Sequence, residues 1–251
     1  MNDQKTAEWH KDRCGKVTAS RLNDCMLVTP EKYKVLRASG TTLRVFDKEH
    51  DALVLLDEAN QKKDGHSLSI CPAKPLLGFE NYAAELVCER LTGEVRMIGE
   101  PPAIRWGNDN EPFALRAYEN RTGEIINRTG FILSGPETGL NNYGASPDGE
   151  VGDNGLVEAK CPLLSTNHIR CFHSGIPEEH FPQMEGQLLA TGREWVDFVS
   201  YDPRFKGDYQ HLQLFVARYI SIPGMRDNIV AGIIRMEAAV KLFISTLPKA
   251  A

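Results

Sequence analysis

The feature that most constrains the fold is a crowd of strand signals between residues 125 and 160. IINRTGFIL (125–133), NYGASPDGEV (142–151) and LVEAK (156–160) lie close together with glycine-rich turns between them. They put a hairpin-rich sheet in the middle of the chain, and most of what surrounds it has helical spacing. Residues 6–14 read as a short helix, and 19–27 as a second with Thr18 as its N-cap. Further helices are predicted over 79–92, closed by Gly93, and from Trp106 through Arg121, closed by Gly123. Thr42–Lys63 also has helical character, and Gly65–Pro75 reads as an irregular loop. After the strands come helices at 164–173 and 178–191, then alternating segments at 195–202 and 209–219. A last helix at 225–246 repeats Ile229, Ile233, Met236, Val240, Phe243 and Leu247 at steps of four and three. This order predicts a mixed α/β domain with both sheet faces covered.

Composition removes several function classes. A chain of 251 residues makes one large domain or two small ones. No run of about 18 apolar residues exists to span a membrane, and the polar start MNDQKTAEWHKDR is not a signal peptide. A cytoplasmic location is expected. Cys14, Cys25, Cys71, Cys88, Cys161 and Cys171 include no CxxC pair, so zinc or iron–sulfur ligation is not expected and all six read as reduced. The net charge of −5 taken alone argues mildly against nucleic acid, though it does not say where the charges sit.

The stretch 145-ASPDGEVGDNGLVEAKCP-162 carries the chemistry. Glu158 and Lys160 are two apart on a strand and leave on one face, while Ala159 turns toward a core. An Asp held close to a Glu is a poor structural pair, because like charges repel. It is a good site for a hard divalent cation. A neighbouring lysine can then activate a metal-bound water, and the set suits phosphodiester hydrolysis. Geometry imposes a condition. A two-residue turn at Asp153-Asn154 would set Asp148 opposite Ala159, on the wrong face, so the catalytic reading needs an odd loop, a bulge or irregular pairing near Asp148. Pro147, Gly149 and Gly152 make such a departure feasible. The plain alternative is a hairpin of turn acids with a surface ion pair at Glu158 and Lys160.

The pattern Pro147-Asp148 … Glu158-Ala159-Lys160 resembles the PD-(D/E)xK nuclease superfamily, and in particular the lambda exonuclease and YqaJ-type viral recombinase family. The blocks EWHKDRCGKVTAS (8–20), RWGNDNE (105–111), HFPQMEGQ (180–187) and SYDPR (200–204) are similar to that family's and occur in its order. The resemblance implies a restriction-endonuclease-like core, a central mixed sheet flanked by helices. It implies a single nuclease domain over 1–251, with residues 30–76 as a mostly helical or loop insertion to which no function carries over. Asp148, Glu158, Glu111 and the Ala159 carbonyl would hold Mg2+, with Mn2+ as a substitute. Lys160 would orient and activate the attacking water, Gln183 would line the site, and Arg13, Ser20 and Ser146 would grip a DNA 5′-phosphate.

Each position also has an ordinary reading. Glu111 could be an acid near a helix N-terminus, Arg13 a helix C-terminal cation, Ser146 a turn cap, and Gln183 and Gln187 helix-face contacts. Ser20 lies in the first turn of a predicted helix, where exposed N–H groups attract phosphate. The histidines His10, His168, His173 and His180 read as surface or satisfied core residues, and Trp106 as core.

The resemblance implies a magnesium-dependent 5′ to 3′ exonuclease that degrades one strand of linear duplex DNA and leaves 3′ tails for recombination. It implies a ring-shaped homotrimer, a single-strand annealing partner, and a phage or prophage protein in the bacterial host cytoplasm. Lys16, Arg21, Lys74 and Arg170 are candidate channel residues. A PD-(D/E)xK endonuclease is the alternative enzyme, and a catalytically silent DNA-end-binding module the alternative outside catalysis. The intact Asp148, Glu158 and Lys160 count against the latter.

Overall fold

A computed structural model describes residues 4, 6–63, 65–95 and 99–248. In chain order the elements begin with α1 (Ala7–Arg13), β1 (Val17–Thr18), a 3-10 turn at Ala19–Arg21 and α2 (Leu22–Cys25). Next come β2 (Lys32–Leu36), β3 (Thr42–Phe46), α3 (Glu49–Lys62), β4 (Ser67–Cys71), α4 (Leu77–Thr92) and α5 (Pro102–Thr122). Then follow β5 (Ile126–Asn127), β6 (Ile132–Leu133), β7 (Tyr143–Ala145), β8 (Gly149–Val151) and β9 (Gly155–Lys160). The chain ends with α6 (Ser165–Ser174), α7 (Phe181–Thr191), β10 (Trp195–Tyr201), β11 (Leu214–Ile220) and α8 (Met225–Thr246). These residues group into two units, Met1–Met26 with Tyr82–Ala251, and Leu27–Asn81.

The larger unit has a five-stranded sheet in the order β11-β10-β9-β8-β5, and a three-stranded one in the order β1-β7-β6. In the five-stranded sheet β9 and β10 run parallel and the other pairings are antiparallel. Side chains alternate along β9, so its two faces feed two cores. Val157 joins Ala114, Leu115, Tyr118, Val199 and Leu214, with Ala159 packed alongside. Leu156 on the other face joins Met184, Leu188, Phe198 and Tyr219. Both faces are therefore covered, by α5 on one side and α7 on the other. The fold class expected from the sequence, mixed α/β, is the one observed.

Two of the strand segments read from the sequence break in the middle. Residues 125–133 give β5 to the five-stranded sheet and β6 to the three-stranded one. Residues 142–151 divide the same way, β7 into the smaller sheet and β8 into the larger. The second break falls at Ser146-Pro147-Asp148, where Pro147 lacks the N–H that a continuous strand would need. β1 runs parallel to β7, with Val17 beside Tyr143 and Thr18 beside Gly144, and so brings the N-terminal segment to this crossover.

The helix expected over 19–27 is instead a 3-10 turn followed by a single α-helical turn. Ala19, Leu22 and Cys25 are spaced by three and all buried, and a repeat of three eclipses side chains in 3-10 geometry. Thr18 makes no side-chain cap; its hydroxyl meets that of Ser20 at 3.3 Å. The segment 209–219 is a 3-10 stretch until Gln213 and a strand only from Leu214.

The smaller unit is an antiparallel sheet in the order β3-β2-β4 with α3 packed on it. Helical spacing over Thr42–Lys63 is correct from Glu49 on, but Thr42–Phe46 is a strand. Five residues are too few for spacing to decide, and pairing does: Tyr33 of β2 faces Phe46 on one side and Ile70 on the other. The expected loop at 65–75 contains β4, whose sequence SLSIC carries weak strand signals of its own. Among the described residues no helix is long and apolar enough to cross a membrane.

Candidate active site

The β8–β9 hairpin turns through three residues, Gly152 to Asn154, with Val151 opposite Gly155, Glu150 opposite Leu156 and Gly149 opposite Val157. Gly152 takes a φ of +53°, which side chains rarely adopt. The odd loop that catalysis requires is thus present, and the register carries Asp148 on toward Glu158. Asp148 leaves the regular ladder: its N–H bonds to the Val157 carbonyl at 3.1 Å, and its Oδ2 accepts the Ala159 N–H at 2.7 Å. A cavity of about 410 Å³ opens here. Its walls include Asp148, Glu158, Ala159, Lys160, Glu111 and Gln183, together with Arg13, Ser20 and Ser146. Every residue named from the sequence for the metal, the water or the 5′-phosphate lines this one space.

Glu158 is 3% exposed and almost wholly committed to neighbours. Its Oε1 accepts Lys160 Nζ at 2.6 Å and Gln183 Nε2 at 2.6 Å, while its Oε2 accepts Gln187 Nε2. Lys160 Nζ also donates to Gln183 Oε1 at 3.1 Å. Gln183 and Gln187 are one helical turn apart on α7 and reach β9 from the same side. Helix α7 is itself anchored by Glu185, which accepts Tyr219 Oη, Ser221 Oγ and Arg226 Nε, each at 2.9 Å.

Charge is concentrated where water is scarce. Burial raises the Asp148 carboxyl well above the usual range, and the negative charges of Glu158 and Glu111 raise it further. Burial pulls the Lys160 ammonium down, but Glu158, Asp148 and Glu111 outweigh it and hold its pKa above the ordinary value. Burial pushes the Cys161 thiol up to about 12, so this pocket-lining cysteine is a thiol and not a nucleophilic thiolate. Glu111 is ten residues into its helix, not near the N-terminus, and accepts Arg128 Nη2 at 3.1 Å. The next residue, Pro112, has no N–H, which leaves the carbonyl of pocket-lining Asn108 without its helical donor.

The other end of the cavity is basic. The Arg13 guanidinium lies 4.1 Å above the Trp9 ring, and burial lowers its pKa. Among the described residues it has no hydrogen-bonding or ion-pair partner. Trp9 Nε1 donates to Ser146 Oγ at 2.9 Å, tying α1 to the sheet crossover. Trp9 was not singled out from the sequence as a site residue, although its four-residue spacing from Arg13 puts both on one helix face. Of the candidate channel cations, Arg21 is engaged by Asp24 and Glu85, and Lys16 donates to the Asp12 carbonyl. His168 is buried and satisfied, its ring bonded to Ser200 Oγ and the Leu212 carbonyl.

The donor set fits a hard divalent cation. Asp148, Glu158 and Glu111 supply carboxylates and Ala159 a carbonyl around one cavity, and a cation there would relieve the repulsion that raises Asp148. Among the described residues the side chains do not converge on one point as they stand, because Glu158 is turned onto Lys160 and the two glutamines.

Residues 8–194 match the YqaJ-like viral recombinase domain. The chain belongs to the YqaJ-like viral recombinase family. Among solved structures, this family member is similar to an alkaline exonuclease from Laribacter hongkongensis, LHK-Exo, at 31% identity and a TM-score of 0.67, covering 96% of this chain and 97% of that one. A second structure of LHK-Exo, in complex with dAMP, matches with the same figures. A phage-related exonuclease from Haemophilus somnus 129PT shares the fold at 14% identity and a TM-score of 0.55, covering 92% of this chain and 95% of that one. No curated protein sequence matches the chain. The architecture is the PD-(D/E)xK-like one that the sequence resemblance implied.

Proposed function

We propose that this YqaJ-family chain is a divalent-metal-dependent exonuclease that digests the 5′-ended strand of linear duplex DNA in the 5′ to 3′ direction. It releases mononucleotides and leaves 3′ single-stranded tails for recombination. The chain is a DNA exonuclease on the strength of its family and of its 31% identity to an alkaline exonuclease over 96% of its length. The observation that carries the finer reading is one cavity lined both by Asp148, Glu158 and Lys160 and by Arg13, a half-buried cation with no ion pair among the described residues. The dAMP complex of the Laribacter relative supports a mononucleotide product.

In this reading Asp148, Glu158, Glu111 and the Ala159 carbonyl hold Mg2+, with Mn2+ as a substitute. When bound, the ion supplies a water of lowered pKa and screens the phosphate charge. Arg13 takes the terminal 5′-phosphate in a bidentate grip, helped by the Ser20 and Ser146 hydroxyls. Behind Ser20 stand only a 3-10 turn and a single α-helical turn, so its contribution is a hydroxyl and not a long helix's dipole. Gln183 holds Lys160 and Glu158 in register. Lys160 stays protonated while the carboxylates around it are uncompensated. Were their charge matched, burial would no longer be outweighed, so Lys160 could release that proton to solvent and, as a neutral amine, orient the attacking water and take its proton.

The family resemblance extends the proposal to duplex DNA ends as substrate, a homotrimeric ring, a single-strand annealing partner, and the cytoplasm of a bacterial host as the site of action for a phage or prophage product. It also supports a single nuclease domain with residues 30–76 as an insertion.

The test is a digestion time course with magnesium on linear duplex DNA labelled at either end, beside a covalently closed circle, with Lys160→Ala as control. Early loss of 5′ label as mononucleotide, slow loss of 3′ label, an intact circle and an inactive variant are expected. A cut circle would make the protein an endonuclease. No metal-dependent cutting of any substrate would leave a silent end-binding module.

A further inference from the structure

Gln187 has chemistry that the proposed reaction does not use. It is fully buried on α7, between Met184 and Leu188 in sequence, both of them core residues. Its Nε2 donates to Glu158 Oε2. Its Oε1 is buried and has no hydrogen-bond partner. The amide cannot be turned over to cure this. An ionised carboxylate only accepts, so a reversed amide would set Oε1 against Glu158 Oε2, acceptor against acceptor. Pointing the donor at Glu158 therefore strands the carbonyl. A methionine or leucine of similar volume would fill the same space, as its neighbours do, and would remove the stranded carbonyl while taking from Glu158 Oε2 the donor given above. A buried unsatisfied group kept beside an acidic centre is a local conflict of the sort that functional sites tolerate.

The two oxygens of Glu158 are also treated differently. Oε1 accepts two donors, from Lys160 and Gln183, whereas Oε2 accepts Gln187 alone among the contacts given above; all three side chains line the cavity. We propose that Gln187 is a positioning residue for Glu158: by holding Oε2 it fixes the orientation in which the carboxylate meets Lys160 and the divalent cation. The proposal rests on the reading of Glu158 as a metal-holding carboxylate.

The test compares wild type, Gln187→Met and Gln187→Leu, all without DNA. Mn2+ binding is followed by the loss of the free-ion electron paramagnetic resonance signal, and thermal unfolding is measured in chelator. Losing a group that orients a metal-holding side chain typically weakens metal binding roughly 10- to 100-fold. That weakening is expected here in both variants, with melting temperatures close to wild type, because the stranded carbonyl removed offsets the donor lost to Glu158 Oε2. Steady-state digestion should show a matching rise in the metal concentration for half-maximal rate, with the KM for DNA ends unchanged. Unaltered Mn2+ binding in folded variants would overturn the proposal. So would a large fall in melting temperature with Mn2+ binding retained, since Gln187 would then be a packing residue. Failure of wild type itself to bind Mn2+ would overturn the metal reading, and this inference with it.

Discussion

Glu185→Ala gives a direct measure of what holds α7 in place. The carboxylate is fully buried and accepts Tyr219 Oη, Ser221 Oγ and Arg226 Nε at 2.9 Å each. Alanine strands three donors, but they are not equal. Tyr219 is 3% exposed, so its hydroxyl is left unsatisfied inside the protein, a loss of about 1–3 kcal/mol. The Arg226 side chain is 46% exposed, so water replaces its partner and little is lost there. Adding the cavity and Ser221, the total comes to about 3–4 kcal/mol, at the low end of what breaking a buried charged pair costs. For a chain of this size that is a fall in melting temperature of roughly 6–16 °C. The assay is thermal unfolding by circular dichroism in chelator at fixed pH. A second substitution checks the apportioning: adding Tyr219→Phe to Glu185→Ala removes the stranded hydroxyl and should recover about 1 kcal/mol. A Glu185→Ala variant melting within about 2 °C of wild type, or a double variant with no recovery, would refute the argument.

Two further outcomes follow from buried charge. Asp148→Asn should abolish cutting yet raise the melting temperature in chelator, because it removes a carboxyl whose pKa is raised by burial and by Glu158 and Glu111. A raised carboxyl pKa means the folded state holds its proton more tightly, so the advantage of asparagine should grow as pH rises from the ordinary carboxylate range and fade below it; melting curves from pH 4 to 9 check this. The second outcome concerns His180, which burial and Lys160 push down to about 4. The unfolded imidazole takes a proton near 6.5 and the folded one does not, so this contribution to stability is complete above pH 6.5 and is lost as pH falls toward 4. The whole shift corresponds to roughly 3 kcal/mol. His180→Asn should flatten the pH dependence of unfolding over that window, and an unchanged slope would count against it.

Much of this molecule is legible in its sequence, for identifiable reasons. Helix α8 spans Met225–Thr246, the range expected for it, because a long amphipathic helix states its own period. Helices α4 and α5 stop at Gly93 and Gly123, both at positive φ, because a left-handed cap is a local requirement that glycine meets. The acidic hairpin was legible for a similar reason: Glu158 and Lys160 share a face by the two-residue period of a strand. Elsewhere local signals were too short to decide. Five residues at Thr42–Phe46 fit helix or strand until β2 is present to pair with them, and Ser67–Cys71 is a strand because of its partner and not its composition. At 19–27 the expected helix is a 3-10 turn at Ala19–Arg21 followed by a single α-helical turn.

The candidate site divides along the same line. The sequence by itself picked out the candidate residues, since Asp148, Glu158, Lys160, Glu111, Gln183, Arg13, Ser20 and Ser146 were each readable from residue type and motif order. Only the tertiary structure decided that they meet. A crossover at Pro147 from one sheet to the other, a three-residue hairpin loop and the parallel pairing of β1 with β7 bring residue 13 and residue 183 to the same cavity. It also decided what each charge experiences there. Burial and like-charge repulsion act through space, so neither the raised Asp148 carboxyl nor the two glutamines gripping Glu158 is written in the order of residues along the chain.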